Sequence, residues 1–432
     1  MLRLSGPDAV RIGDAIFRGK LPVEVLPPRT AHFGSVHDGD VKLDNVLLTV
    51  FPGTGSFTGE ETVEIACHGG ILVTRRILDL LHRHGARPAE PGEFTQRAFL
   101  NGKLDLTQAE AVMDLISAQT DLALRAANEQ LEGRLGERIH ELREALLEML
   151  AHVEAYIDFP DEDIDPEVGD LMCSRIASAR SAVDKLLDTA AQGRILREGV
   201  RTVIYGAPNV GKSSLLNRLL GTERAIVSPR PGTTRDVIEE VINLRGIPLR
   251  LMDTAGVRES EDEVEREGMA RTRKAIERAD LVLHIAEAHR PRLDQFSKET
   301  LQSVAGNPRA ILVLNKADLG EDESWRGVDA VRISCTTSSG MEELCAAIEC
   351  HVFGGAAAQR DWTVAINARH QACLERARDF LAAAQRAFDE KVSPEFIAEE
   401  LRAALDAVGE IIGKAETEEL LGVIFSRFCI GK

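Results

Sequence analysis

The chain has 432 residues, 44% of them hydrophobic and 28% charged, with a formal net charge of −18. That length exceeds what one hydrophobic core holds, and that composition excludes wholesale disorder. The negative balance excludes a general basic footprint for nucleic acid, and 4% aromatic residues exclude an extended base-stacking platform.

Residues 1–100 mix short apolar runs, VKLDNVLLTVF and TVEIACHGG, with the turn signals FPGTGSFTG and RPAEPGEF, and read as an α+β domain. The opening segment lacks the apolar core of a signal peptide, and no run reaches membrane-spanning length. Seven cysteines without a CxxC pair fit a reduced, cytoplasmic compartment. From Leu104 the texture turns helical for some fifty residues, which predicts a pair of long helices. Residues 101–198 carry 10 Lys/Arg against 21 Asp/Glu, and the acidic peak Asp158–Glu167 reads as a solvated loop or helix start. A further helix follows at LMCSRIASARSAVDKLLDTAAQG, with Gly193 as its expected C-cap.

Strand signals then alternate with helix-length segments: VRTVIYG, VINL, LRLMDT, LVLHIA and AILVLNK. That alternation predicts a doubly wound, mainly parallel sheet. Helical texture returns over Cys373–Lys391 and Ser393–Phe428, so the α/β unit is an insertion in a helical domain. The expected layout is an N-terminal domain at 1–101, helical segments at 102–198 and 355–432, and the inserted domain at 199–354.

The inserted domain carries the chemistry. GAPNVGKS, Gly206–Ser213, follows an apolar strand and opens a helix, which is the P-loop arrangement. Its backbone N–H groups wrap phosphates, Lys212 reaches the outer phosphates, and the Ser213 hydroxyl ligates Mg²⁺. DTAG, Asp253–Gly256, ends a strand where a carboxylate can hold the metal and a glycine N–H can approach the γ-phosphate. In PGTTRD, Thr233 or Thr234 can close on Mg²⁺. NKAD, Asn315–Asp318, selects guanine, because the Asp318 carboxylate accepts from guanine N1 and N2 and adenine offers no such pair of donors. Ser334, Cys335 and Thr336 are placed to meet the base through their backbone. A water-orienting glutamine is missing after Gly256, where Val257 and Arg258 stand, so another group must position the water.

GAPNVGKSSLLNRLL, PGTTRDV, DTAGVRESEDEVEREG, NKAD and the terminal FCIGK, with LRLSGPDA, SFTGEETVEIACHGG, RPAEPGEFTQRAFLNGKLDLTQAEAV and YIDFPDEDI, resemble the MnmE (TrmE) family of tRNA-modification GTPases over nearly the whole chain. The resemblance implies a cytoplasmic homodimer whose inserted Ras-like P-loop GTPase domain works with MnmG, an FAD-dependent partner. Together they would build an aminomethyl or carboxymethylaminomethyl group at C5 of the tRNA wobble uridine. The one-carbon unit would come from a tetrahydrofolate, in its 5,10-methylene or formyl form, and no membrane would be involved.

By similarity the GTP site takes Asn209, Val210, Gly211, Lys212, Ser213 and Ser214, then Ser228, Pro229, Arg230, Pro231, Gly232, Thr233 and Thr234. It continues with Asp253, Thr254, Ala255, Gly256, Asn315, Lys316, Ala317, Asp318, Ser334, Cys335 and Thr336. Thr234 joins Ser213 on Mg²⁺; Asn209, Ser228, Arg230 and Thr233 surround K⁺, which replaces an arginine finger electrostatically. Catalysis falls to Lys212, to Glu265 as the residue orienting the water, and to Cys429 near the folate-bound carbon. Arg3, Glu64, Lys103 and the terminal Lys432 match folate contacts. Family chains usually begin with one more strand and a TPPGRG-like turn, so an altered edge of the N-terminal sheet is expected. The alternative is a GTP-switch assembly factor, for instance in ribosome biogenesis, without modification chemistry.

Overall fold

A computed structural model describes residues 1–158, 168–222, 240–252, 275–295, 307, 309–353, 365–414, 418–426 and 428. The described residues fall into two compact units, one drawn from 1–113, 130–183 and 372–432, the other from 114–129 and 184–371.

In the first unit, β1 (Leu2–Ser5), β2 (Phe17–Gly19), β3 (His32–Asp38), β4 (Val41–Phe51) and β5 (Thr62–Ala66) form one antiparallel sheet in the order β1-β5-β4-β3-β2. Period-two alternation decides which face is covered. Val46, Leu48 and Val50 of β4, with Val63 and Ile65 of β5, are buried against α1 (Ala9–Ile16) and α2 (Ile71–Arg83). Leu47 and Phe33, paired across β3 and β4, lie on the other face and are exposed. Each aliphatic side chain removed from water contributes about 1.5–3 kcal/mol, so this core outweighs any single polar contact in the sheet.

The helical run beyond Leu104 differs from the expected pair. It holds α3 (Glu93–Leu100) just before it, then α4 (Leu106–Ser117), α5 (Asp121–Leu131) and α6 (Arg134–Asp158). Thr120 restarts the chain by accepting the Ala123 N–H on its hydroxyl at 3.2 Å, and Gly133 breaks it with φ +94°. In the first unit α6 packs along α13 (Pro394–Ile412), which follows α12 (Ala368–Asp389). Ile139, Leu142, Leu146 and Met149 face inward on α6, and Leu401, Leu405, Val408 and Ile412 do so on α13. Pro394 opens α13 at its first turn, and Gly413 in the left-handed region closes it. Then α14 (Glu418–Phe425) lays Leu421 and Phe425, followed by Phe428, against Leu106 and Ala109. The inward face expected for the last helix is therefore present, with Phe425 added to it.

In the second unit, α7 (Val168–Leu187), whose C-terminal end alone belongs here, is followed by α8 (Ala190–Glu198). The expected cap at Gly193 is corrected. Gly193 is buried inside α8, and the helix ends at Gly199 with φ +75°. A Cβ on Gly193 would lie 2.3 Å from the Ile366 carbonyl oxygen, so close packing against another segment requires the glycine. The sheet follows in the order β11-β10-β9-β6-β8-β7: β11 (Val331–Arg332), β10 (Ala310–Asn315), β9 (Leu281–Glu287), β6 (Val200–Gly206), β8 (Ile247–Leu251) and β7 (Glu240–Leu244). All neighbours are parallel except β7 and β8. The C-terminal ends of β6, β9 and β10 share one edge, which is where ligands sit in a doubly wound sheet. There α9 (Lys212–Thr222) starts, and α10 (Arg292–Gln295) and α11 (Met341–Phe353) complete the labelled helices.

Candidate nucleotide site and candidate folate site

The P-loop runs from the end of β6 to the start of α9. Asn209 (φ +64°) and Gly211 (φ +100°) bend it through left-handed backbone. A Cβ on Gly211 would lie 2.1 Å from Asn315 Nδ2, so both the turn and the tight approach require glycine. Lys212 folds its ammonium back over the loop, donating to the carbonyls of Gly206 at 3.1 Å and Ala207 at 2.8 Å. Burial depresses its pKa, and a bound phosphate would restore the charged form. Ser213 and Ser214 are exposed in the first turn of α9, where helix dipoles favour anions and the Ser213 hydroxyl suits a phosphate-bridging Mg²⁺.

The base side is built onto the same loop. Asn315, 2% exposed, donates through Nδ2 to the Val210 carbonyl at 2.8 Å and accepts the Cys335 N–H on Oδ1 at 3.2 Å. One buried amide thus ties the P-loop, the end of β10 and the Ser334–Thr336 loop together. Lys316, with φ +60°, donates to the Asn209 carbonyl at 3.0 Å. Asp318 lies exposed in the following turn, where its carboxylate can meet a purine edge. Ser334 is buried, and its hydroxyl accepts the Thr337 N–H at 3.1 Å, which shapes the loop. Burial pushes the Cys335 thiol pKa up, so it is a poor nucleophile, in keeping with a loop role beside the base.

Of the expected nucleotide residues, Ser228, Pro229, Arg230, Pro231, Gly232, Thr233, Thr234, Asp253, Thr254, Ala255, Gly256 and Glu265 lie outside the described residues. The rest converge. Sequence reasoning missed two residues here. Arg218 of α9 donates to the carbonyls of Cys335 at 2.8 Å and Thr336 at 3.2 Å, and Glu287 ion-pairs with Lys316. Neither carries a motif signal, because each acts on a segment about thirty or more residues away.

In the first unit Arg3 and Glu64 are directly paired across β1 and β5, with Arg3 Nε donating to Glu64 Oε1 at 2.7 Å. The Arg3 guanidinium lies 5.9 Å from the Phe57 ring centre and 5.6 Å from that of Phe94, within cation–π range. Lys103 donates to the Thr54 carbonyl at 2.8 Å, so the segment 54–57 touches both expected cations. A cavity of about 550 Å³ opens beside β1, bordered by Arg3, Ser5, His82, Glu93 and Arg97. The first two folate candidates and the aromatic rings present a charged, planar-friendly setting that suits a pterin with an acidic tail.

Next to it stands a charge network that sequence reasoning also missed. Glu93 accepts from Arg87 and from Arg97, and Arg97 reaches Glu60 at 2.8 Å. The Arg87 hydrogen bonds, aided by the Glu90 N–H and Arg97 and opposed by burial, hold the Glu93 pKa down to about 2. The root of α14 docks here, since a Cβ on Gly92 would lie 2.8 Å from the Phe425 carbonyl oxygen. Cys429 and Lys432, which follow it, lie outside the described residues.

A strand, glycine loop and helix tied by a buried asparagine to a guanine-reading loop define a P-loop GTPase. The profile of the MnmE helical domain matches residues 106–429, and that of the GTP-binding protein TrmE N-terminus matches residues 1–103. Curated proteins named tRNA modification GTPase MnmE align with the entire chain. The one from Akkermansia muciniphila is 51% identical over 95% of its own length. Those from Geobacillus kaustophilus and Staphylococcus haemolyticus are 46% and 42% identical, each over 96%. The chain belongs to the MnmE family.

Among the described residues no helix is long and apolar enough to cross a membrane, and the six cysteines form no disulfide.

Proposed function

We propose that the chain hydrolyses GTP to drive modification of tRNA at C5 of the wobble uridine, acting with an FAD-dependent partner of the MnmG type. The group added is carboxymethylaminomethyl or aminomethyl, and its one-carbon unit comes from tetrahydrofolate. The observation carrying this reading is the guanine-nucleotide site assembled at one sheet edge in a chain that matches MnmE relatives end to end. Mg²⁺ is held by Ser213 and Thr234, and K⁺ by Asn209, Ser228, Arg230 and Thr233. Glu265 orients the attacking water in place of the missing glutamine.

The folate sits at Arg3, Glu64 and Lys103, and the tail with Cys429 and Lys432 closes on it. Support for that placement comes from the root of α14, which packs on Gly92, two residues from the Phe94 ring beside Arg3. The functional division is 1–101 for folate and dimerisation, 102–198 and 355–432 for the helical domain, and 199–354 for the GTPase domain. The protein works as a cytoplasmic homodimer. With a net charge of −18, it leaves much of the tRNA contact to its partner.

Nucleoside analysis of tRNA from a deletion strain tests the reading. Loss of the wobble-uridine modification is expected. Unchanged modification, with a defect in ribosome assembly instead, would favour the GTP-switch alternative.

A further inference from the structure

Glu287 is the last residue of β9, in register with Asn315 on β10, and its side chain is only 6% exposed. Its backbone is clamped by Gln295, whose Oε1 accepts the Glu287 N–H at 2.6 Å and whose Nε2 donates to the Glu287 carbonyl at 2.8 Å. The carboxylate meets two cations: Arg290 Nε at 2.8 Å on one oxygen and the Lys316 ammonium on the other. That same ammonium donates to the Asn209 carbonyl of the P-loop at 3.0 Å. Both ends of this link, Asn209 at φ +64° and Lys316 at φ +60°, hold left-handed backbone that side-chain-bearing residues rarely adopt.

We infer that Glu287 is a positioning residue for guanine-nucleotide binding: it aims Lys316 at the P-loop and so joins the base-reading loop to the phosphate-binding loop. The physical argument turns on burial. A carboxylate in this position holds a partly exposed lysine more firmly than water does, because both its oxygens are engaged and its backbone cannot move. Without it the Lys316 side chain is free to swing into solvent, and the two left-handed turns lose the contact that bridges them. The nucleotide must then order both loops as it binds, which lowers affinity without touching the reacting atoms. The inference rests on the reading that Asn315–Asp318 holds the base.

Three variants of the full-length protein test it: Glu287→Gln, which keeps size and removes charge; Glu287→Asp, which keeps charge; and Lys316→Met, alone and combined with Glu287→Gln. Binding of a fluorescent GDP and GTP is measured with steady-state hydrolysis, after circular dichroism of each apo variant. Glu287→Gln is expected to weaken GTP binding about tenfold, with kcat at saturating GTP within about twofold of the parent. Glu287→Asp should recover affinity to within about threefold of the parent, and Glu287→Gln should add nothing to Lys316→Met.

Unchanged affinity in Glu287→Gln, or full additivity with Lys316→Met, overturns the inference. So does unfolding of both the Gln and Asp variants, which would make the carboxylate a requirement of the core. If the parent itself fails to bind guanine nucleotides, the base reading fails instead, so the two failures are distinguishable.

Discussion

Replacing Glu93 by glutamine tests how the first unit is held together beside its candidate folate site. In the parent, Glu93 is nearly buried and engages Arg87 and Arg97, while the Glu90 N–H donates to it at 2.8 Å. The carboxyl is held from 4.5 down to about 2. At about 1.4 kcal/mol per pH unit, that depression contributes about 3 kcal/mol of stability at neutral pH. The sign is that of a lowered acid. The contribution is complete above the ordinary carboxylate pKa near 4.5 and is lost as pH falls toward 2.

Glu93→Gln should therefore lower the opening free energy of the unit by about 3 kcal/mol at pH 7, leaving two guanidinium groups short of their counter-charge. Hydrogen exchange read by mass spectrometry on peptides covering β1, β5 and α3 measures this locally, where a global melt of a two-unit chain would blur it. Exchange there should accelerate roughly 100-fold at pH 7. The gap between parent and variant should close as pH drops from about 4.5 toward 2. A gap of under about 0.5 kcal/mol at pH 7, or one that is the same at pH 3, would refute the assignment of this energy to the Glu93 carboxylate.

Three more outcomes follow from the nucleotide site. Gly211→Ala forces a Cβ to within 2.1 Å of Asn315 Nδ2 at a φ of +100°, so GTP affinity measured by equilibrium titration should fall at least about tenfold; an unchanged Kd would contradict the geometry. Glu265→Ala should abolish hydrolysis in a phosphate-release assay while GTP affinity stays within about threefold, and equal loss of binding would mark the residue as structural. Hydrolysis should be much faster in K⁺ than in Na⁺ at matched ionic strength; equal rates would remove the cation from the account.

The nucleotide site was legible because its chemistry is written in contiguous runs. GAPNVGKS needs strand, loop and helix in immediate succession, and NKAD needs only a strand end, so local sequence suffices. The sheet was legible for the same reason, since its buried parallel strands read as continuous apolar runs flanked by helix-length segments. Gly193 was misread because a glycine that ends a helix and a glycine that admits a neighbouring backbone look identical in sequence. Only the approach of Ile366 separates them. The run beyond Leu104 kept helical spacing through Thr120 and Gly133, so its breaks were hidden within an unbroken apolar pattern. Glu287 and the Glu93 network went unread because their partners are set by folding: residues 60, 87, 93 and 97 meet in space with no period in sequence.

The most direct test combines base recognition with the chemistry it is proposed to drive. Asn at position 318 can still accept from N1 and can donate to the C2 carbonyl of xanthine, while it loses the carboxylate that guanine requires. Tetrahydrofolate-dependent modification of tRNA is reconstituted from the FAD-containing partner and the Asp318→Asn chain, supplied with either GTP or XTP. XTP is expected to support modification and GTP to support little. Equal modification with GTP, matching the parent, would contradict the claim that this cleft reads guanine and powers the reaction.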